Sequence, residues 1–254
     1  MLTAITRQVS PAITRCELTH LERQPIDLTT AVAQHHLYEQ ALMDLGMELI
    51  SLPAEAHLPD SVFVEDTALV LDELAVLTRP GADSRKAEVA GIAKELSHYR
   101  ELDAIQPPGT LDGGDILQAG RMIFIGISTR SNPEAIQQLH TILKPFGYQV
   151  KGVAVNGCLH LKSAVTLLAE DTLLINPSWV DPLEFKGFKL VQVDPGEPYA
   201  ANILGIGANL LYQPCFPKTT TRLESAGYQL IMLDASELGK AEGALTCCSL
   251  IFKG

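Results

Sequence analysis

The sequence predicts an α/β fold in which about five ββαβ units close into a ring around a central channel. Two patterns point to it. A polar or glycine-containing corner, an apolar strand, a short turn, a second apolar strand and a helix-like segment recur at intervals of roughly 40 to 50 residues, the spacing of radial arrays. The two chain ends also combine into one further unit, so that no sheet edge is left open. In order, the first unit runs through Val64–Leu71, turns at Asp72-Glu73, continues through Ala75–Thr78 and passes Pro80-Gly81 into a helical pattern from Ser84 to Tyr99. The second takes Gly114–Leu117, a turn at Ala119-Gly120, Met122–Gly126 and a helix after Asn132-Pro133. The third takes Ser163–Leu168, a turn at Glu170-Asp171 and Thr172–Asn176. The fourth takes Ala201–Gly205, Gly207–Gln213 and a helix from about Thr219 to Ala226. Gly147–Val150 and Gly227–Ile231 read as single strands between units, and the fifth unit joins a C-terminal strand Leu245–Phe252 to an N-terminal strand around Ala4–Val9 and a helix Thr30–Leu45. The alternative arrangement of the same elements is an open α/β sheet.

Composition sets the outer bounds. A chain of 254 residues with 46% hydrophobic content buries a sizeable core, and the repeat favours one domain spanning 1–254. The formal charge of −11 speaks against a nucleic-acid surface or a polybasic membrane patch and suits either simple solubility or a cationic small substrate. The cysteines, Cys16, Cys158, Cys215, Cys247 and Cys248, are odd in number and include no CxxC pair, which argues against a disulfide framework and a structural zinc site. No apolar leader opens the chain and no apolar run reaches the roughly 18 to 20 residues of a membrane span, so a soluble, cytoplasmic protein is expected. Oligomeric state, monomer or homodimer, stays open.

In such a ring the residues at the inner strand beginnings meet across the axis. They are Asp60, Glu65, Asp66, Asp112, Asp115, His160, Lys162, Ser163, Asn202, Cys247 and Cys248. Singly, each has an ordinary structural reading: a turn aspartate capping local amides, a core histidine, an inert buried thiol. Together they hold the parts of covalent thiol catalysis, a cysteine, a histidine and an acid. Several acids around one channel repel one another unless they hold a cation, and a planar guanidinium with its in-plane donors fits such carboxylates. As strand neighbours, Glu65 and Asp66 are expected on opposite faces, one facing the site and the other bracing it, and Cys248 is expected to turn away from Cys247 into the core.

The segments Phe63-Val64-Glu65-Asp66, Leu111-Asp112-Gly113-Gly114-Asp115, Leu159-His160-Leu161-Lys162-Ser163 and Leu245-Thr246-Cys247-Cys248-Ser249 closely resemble those of dimethylarginine dimethylaminohydrolases, in the guanidino-modifying (pentein, amidinotransferase-like) superfamily. The four motifs stand in the family's order over nearly the whole chain. The resemblance implies a five-bladed α/β propeller, in agreement with the ring read from the repeats. It implies hydrolysis of asymmetric dimethylarginine and monomethylarginine to citrulline and a methylamine through a covalent thiouronium on cysteine. Carried over by position, it makes Cys247 the nucleophile, His160 the general acid/base and Asp112 the triad acid. Glu65 and Asp66 become the guanidinium-binding acids, Asp60 a contact to the amino-acid end of the substrate, and Arg85 and Arg130 its carboxylate-binding arginines. Leu18 falls on a flexible lid, and Ala241 offers its backbone carbonyl to the substrate amine.

No cofactor is implied. Cys247 and His160 are suitable ligands for an inhibitory zinc ion, but two ligands fall short of a structural or catalytic set. Arginine deiminase and citrulline hydrolase chemistry are the nearest rivals on the same fold, and the Glu65-Asp66 pair favours a cationic guanidinium over neutral citrulline. Amidine transfer to a second substrate and a non-catalytic arginine-binding regulator are the more distant alternatives.

Overall fold

A computed structural model describes residues Met1–Gly254. Its strands are β1 (Leu2–Arg7), β2 (Glu48–Leu52), β3 (Ala68–Val70), β4 (Ala75–Leu77), β5 (Leu102–Ala104), β6 (Ile116–Ala119), β7 (Met122–Ile127), β8 (Gln149–Ala154), β9 (Val165–Ala169), β10 (Thr172–Ile175), β11 (Lys189–Gln192), β12 (Leu204–Ile206), β13 (Asn209–Tyr212), β14 (Leu230–Met232) and β15 (Leu250–Lys253). They form five three-stranded sheets of one plan. An inner strand pairs antiparallel with a middle strand, which pairs parallel with an outer one, as in β3-β4-β5, β6-β7-β8, β9-β10-β11 and β12-β13-β14. The remaining sheet takes its inner strand from the C-terminus, with β15 antiparallel to β1 from Leu2↔Lys253 to Ile5↔Leu250 and β1 parallel to β2. The two ends of the chain therefore complete one unit.

Each antiparallel step needs only a tight turn, whereas each parallel step needs a crossover. Four crossovers carry an α-helix, Leu28–Asp44, Val89–Leu96, Pro133–Leu143 and Pro217–Ser225, and the β9-β10-β11 sheet makes do with a 3-10 turn at Pro182–Phe185. The helix starts are written locally. Asp27 accepts the Thr30 amide at 2.8 Å, and Asn132 accepts the Ala135 amide at 3.0 Å directly ahead of Pro133. The apolar core lies between neighbouring sheets rather than in one central block. Ile116, Ile123 and Ile125 pack with Leu69 and Val76 of the preceding sheet, while Leu117 and Phe124 pack with Val165, Leu173 and Ile175 of the next. Strand alternation thus buries both faces of β6 and β7. Residues of all five inner strands line a central channel of about 360 Å³, together with Glu65, Gly113, Lys162 and Thr246 from the turns. No helix is long and apolar enough to cross a membrane.

The corners differ from the expected strand beginnings. Val64–Thr67, Gly113–Asp115 and Thr246–Cys248 are 3-10 turns, Leu161–Ala164 is a single α-turn, and the strands start only at Ala68, Ile116, Leu250 and Val165. Side-chain hydrogen bonds draw the chain into the first of these turns: the Thr67 hydroxyl donates to the Val64 carbonyl and the Thr78 hydroxyl to that of Asp66. Cys247 therefore sits on a helical turn ahead of a shortened C-terminal strand, not on a strand edge. Cys248 is buried in the core, as expected, but the turn puts it there and strand alternation does not.

Candidate active site

The turns deliver their side chains to the end of the channel. Two glycines make the convergence possible. A Cβ at Gly113 would come within 1.9 Å of the Glu65 carbonyl oxygen, and one at Gly114 within 2.5 Å of His160 Nδ1 and 2.9 Å of Asp66 Oδ1. The Gly-Gly pair is thus the gap into which the Glu65-Asp66 turn and the imidazole fit.

Asp112, fully buried, hydrogen-bonds His160 Nε2 at 3.0 Å through Oδ2 and accepts the Gly81 amide at 2.8 Å through Oδ1. On the other side of the ring, His160 Nδ1 lies 3.9 Å from Asp66 Oδ1. Asp115 holds the backbone from behind, accepting the Leu161 amide at 2.9 Å and the hydroxyls of Ser128 and Ser131 at 2.6 Å each. Burial disfavours the charged imidazole, but the negative charge of Asp66, the hydrogen bond to Asp112 and the further charges of Asp115 and Asp112 outweigh it and raise His160 to about 9. Asp66 moves the opposite way: burial works against its charge, yet His160 and Arg85 bring it down to about 2. Burial raises Asp115 to about 6. The half-buried Cys247 thiol is pushed far up, by burial first and then by the charges of Glu65 and Asp66. The resting pair is a neutral thiol beside an imidazolium.

Cys247, His160 and Asp66 open onto one narrow cavity of about 20 Å³, also lined by Glu17, Asp60, Phe63, Arg85, Arg130, Leu159, Ala241, Glu242 and Gly243. Seven of the sequence-derived site residues thus share a wall, and Asp112 stands directly behind His160. The other two are placed differently. Leu18 is half-buried against the core within the loop that covers the cavity, but does not line it. Glu65 does not face the cavity beside Asp66. Its carboxylate takes Lys162 Nζ at 2.5 Å and the Thr246 hydroxyl at 3.0 Å, at the wall shared with the central channel. The two acids do divide into one facing and one bracing, through the 3-10 turn rather than strand alternation.

The two arginines also separate. Arg85 is fully engaged: Nη1 meets Asp66 Oδ2 at 2.5 Å, Nε and Nη2 meet Glu88, and Nη2 also donates to the carbonyls of Asp60 and Phe63. Arg130 has only the Thr19 hydroxyl at 3.0 Å and a longer approach to Asp112 at 3.8 Å. Glu88 and Thr246 were missed from sequence as working parts. Glu88 stands three residues after Arg85, a helical spacing that marks a possible ion pair, and Thr246 adjoins the nucleophile position. Asp66, Asp112 and His160 bring their ligand atoms within 4.8 Å of one another, as a metal site would. The imidazole is bracketed by carboxylates that favour its protonated form, which cannot ligate.

The arginine deiminase family model matches residues 58–203. The N(G),N(G)-dimethylarginine dimethylaminohydrolase of Streptomyces coelicolor is 38% identical over 97% of this chain and 95% of its own length. That of Pseudomonas aeruginosa is 34% identical over 89% and 90%. The chain belongs to the dimethylarginine dimethylaminohydrolase family. A solved structure of the Pseudomonas aeruginosa enzyme, a cysteine-to-serine mutant complexed with citrulline, superimposes with a TM-score of 0.94 at 32% identity, covering 99% of this chain and 100% of that one. The five-unit ring is thus the pentein propeller of the family.

Proposed function

We propose that this protein hydrolyses Nω-methylated arginines, asymmetric dimethylarginine and monomethylarginine, to citrulline and dimethylamine or methylamine through a covalent adduct on Cys247. The observation that carries the reading is the opening of Cys247, the Asp112-held His160 and Asp66 onto one cavity. Family membership supports the substrate class. The apolar side chains of Phe63 and Leu159 in the same wall suit N-methyl groups.

The chemistry follows from the charges. In the free protein the acids around Cys247 hold its proton on. A guanidinium cation docked against Asp66, with Glu65 behind the wall, reverses the local field and favours the thiolate, whose proton leaves to solvent because His160 is already charged. The thiolate attacks the guanidinium carbon. The His160 imidazolium protonates the departing dimethylamine, leaving a thiouronium cation on Cys247 and a neutral imidazole. That imidazole takes a proton from water as it attacks, and collapse expels the thiolate and releases citrulline. Asp112 holds the ring in place throughout. Arg130, whose only close side-chain partner is Thr19, is the arginine free to take the substrate α-carboxylate, while Arg85 holds Asp66. Asp60 and the Ala241 carbonyl take the amine. No cofactor is needed, and zinc held by Cys247 and His160 would block both groups as an inhibitor.

The test is release of citrulline and dimethylamine from asymmetric dimethylarginine, run beside arginine and citrulline, with Cys247→Ser as control. Dimethylamine release abolished by Cys247→Ser is expected. Ammonia from arginine, or ornithine from citrulline, with none from the methylated substrate would contradict the assignment.

A further inference from the structure

The cavity is too small for an amino acid, so part of its wall must move for entry, and the loop that contributes Glu17 to that wall is the segment tied over it by hydrogen bonds. That loop, residues 16–27, is anchored at its two ends, where the Ser84 hydroxyl donates to Glu17 at 2.6 Å, the Asp27 amide to Glu237 at 2.8 Å and Lys240 to the Pro25 carbonyl at 3.1 Å, and three further ties lie beside the cavity. The Glu17 amide donates to Asp60 at 3.1 Å, and Arg130 donates to the Thr19 hydroxyl at 3.0 Å. The third tie is the densest: the amides of Thr19, His20 and Leu21 all donate to the Glu242 carboxylate, at 3.0, 2.5 and 2.6 Å.

Glu242 is the one non-glycine residue in the chain with a positive φ, 58°. Its backbone cannot relax. Its amide donates to Gly239, those of Ala241 and Gly243 donate to Leu238, and a Cβ at Gly243 would meet the Phe63 ring at 2.2 Å. An uncommon conformation held from both sides fixes where the carboxylate points, and it points at three successive loop amides.

We infer that Glu242 is a positioning residue for the reaction, a carboxylate latch that holds the 16–27 loop closed over bound substrate. The inference rests on the proposed function in one respect. When the substrate amine takes Asp60 and its carboxylate takes Arg130, the loop exchanges its ties to those two residues, and Glu242 becomes the principal hold on residues 19–21, between the end anchors. Glu242 itself stands in the cavity wall, and the latch acts on retention of substrate through the loop.

Glu242→Gly tests this, because glycine accepts the positive φ and removes the carboxylate without threatening the fold. Its melting temperature is expected at or above that of the wild type. Trypsin cleavage after Arg15, at the start of the loop, and after Arg23, within it, is expected to accelerate by about tenfold, and KM for asymmetric dimethylarginine to rise by about as much, with kcat changed less than about twofold. Glu242→Gln, which keeps the backbone strain but loses the charge, is expected to fall between. An unchanged cleavage rate in Glu242→Gly overturns the latch, and faster cleavage with an unchanged KM overturns its role in retention. The cleavage arm needs no substrate, so absence of turnover in the wild-type protein would sink the substrate assignment and leave the latch to be decided by trypsin.

Discussion

At His160 two carboxylates compete with burial, and they win. The charged imidazole is the resting form because Asp66 and Asp112 stand at its two nitrogens. As the proton donor to the departing amine, it fails as pH rises past about 9. The alkaline limb of kcat/KM is expected there, and Asp112→Asn, which removes one of the raising charges, is expected to move that limb to lower pH; a limb that stays in place would assign it to another group. The linkage to stability has the same sign. A raised histidine pKa contributes stability that is complete below the unfolded value near 6.5 and is lost as pH rises through about 9. The arginines give a second contrast. Arg85→Ala leaves Glu88 buried without a partner and strips Asp66 of its arginine, and is expected to destabilise the fold by about 3–5 kcal/mol, read from denaturant melts. Arg130→Ala is expected to raise KM by tenfold or more with a much smaller change in kcat, since it removes a binding group and breaks no dense network. Equal effects of the two on stability would contradict this division. Which side chains matter was legible in the sequence, because Cys247, His160, Asp112 and Asp66 stand at the corners of the repeat. Which way they point was not. The turning of Glu65 onto Lys162 and Thr246, and the burial of Arg85 behind Asp66, depend on partners from distant parts of the chain.

Among the elements, the middle strands and the crossover helices were read within a few residues from apolar periodicity and caps. The inner-strand beginnings were not. A short apolar run with a polar head fits a strand and a tight turn followed by a strand equally well. What decides for the turn is a set of local bonds, such as Thr67 to Val64, together with the clearance left by Gly113 and Gly114. The turns bring the functional groups of neighbouring units within reach of one another, which straight strand starts would splay apart. Gly113→Ala is expected to be expelled from this packing, since its neighbour at 1.9 Å is a backbone carbonyl that cannot yield. A loss of about 3 kcal/mol of stability is expected, together with most of the activity; a variant with wild-type melting and turnover would show that the turns are not held as tightly as the geometry requires.

The whole molecule joins ends that are far apart in sequence. β15 follows the Cys247 turn directly and pairs with β1, so closure of the ring and placement of the nucleophile are one event. The ring itself was legible because a fifth unit could be completed only by joining the two ends. The division of its axis into a small cavity and a larger channel was not, since it depends on Glu65, Lys162 and Thr246 meeting at the wall. The net charge of −11 suits a site that keeps its thiol protonated until a cation arrives. The central claim is that Cys247 then forms a bond to the guanidinium carbon. Its most direct test is acid quenching of the enzyme during turnover of asymmetric dimethylarginine, followed by mass spectrometry of the intact protein and its peptides. The account predicts an adduct with the mass of the substrate less dimethylamine, carried by Cys247 and absent from Cys247→Ser. Turnover without any adduct, or an adduct on Cys215 or Cys248 in its place, would contradict it.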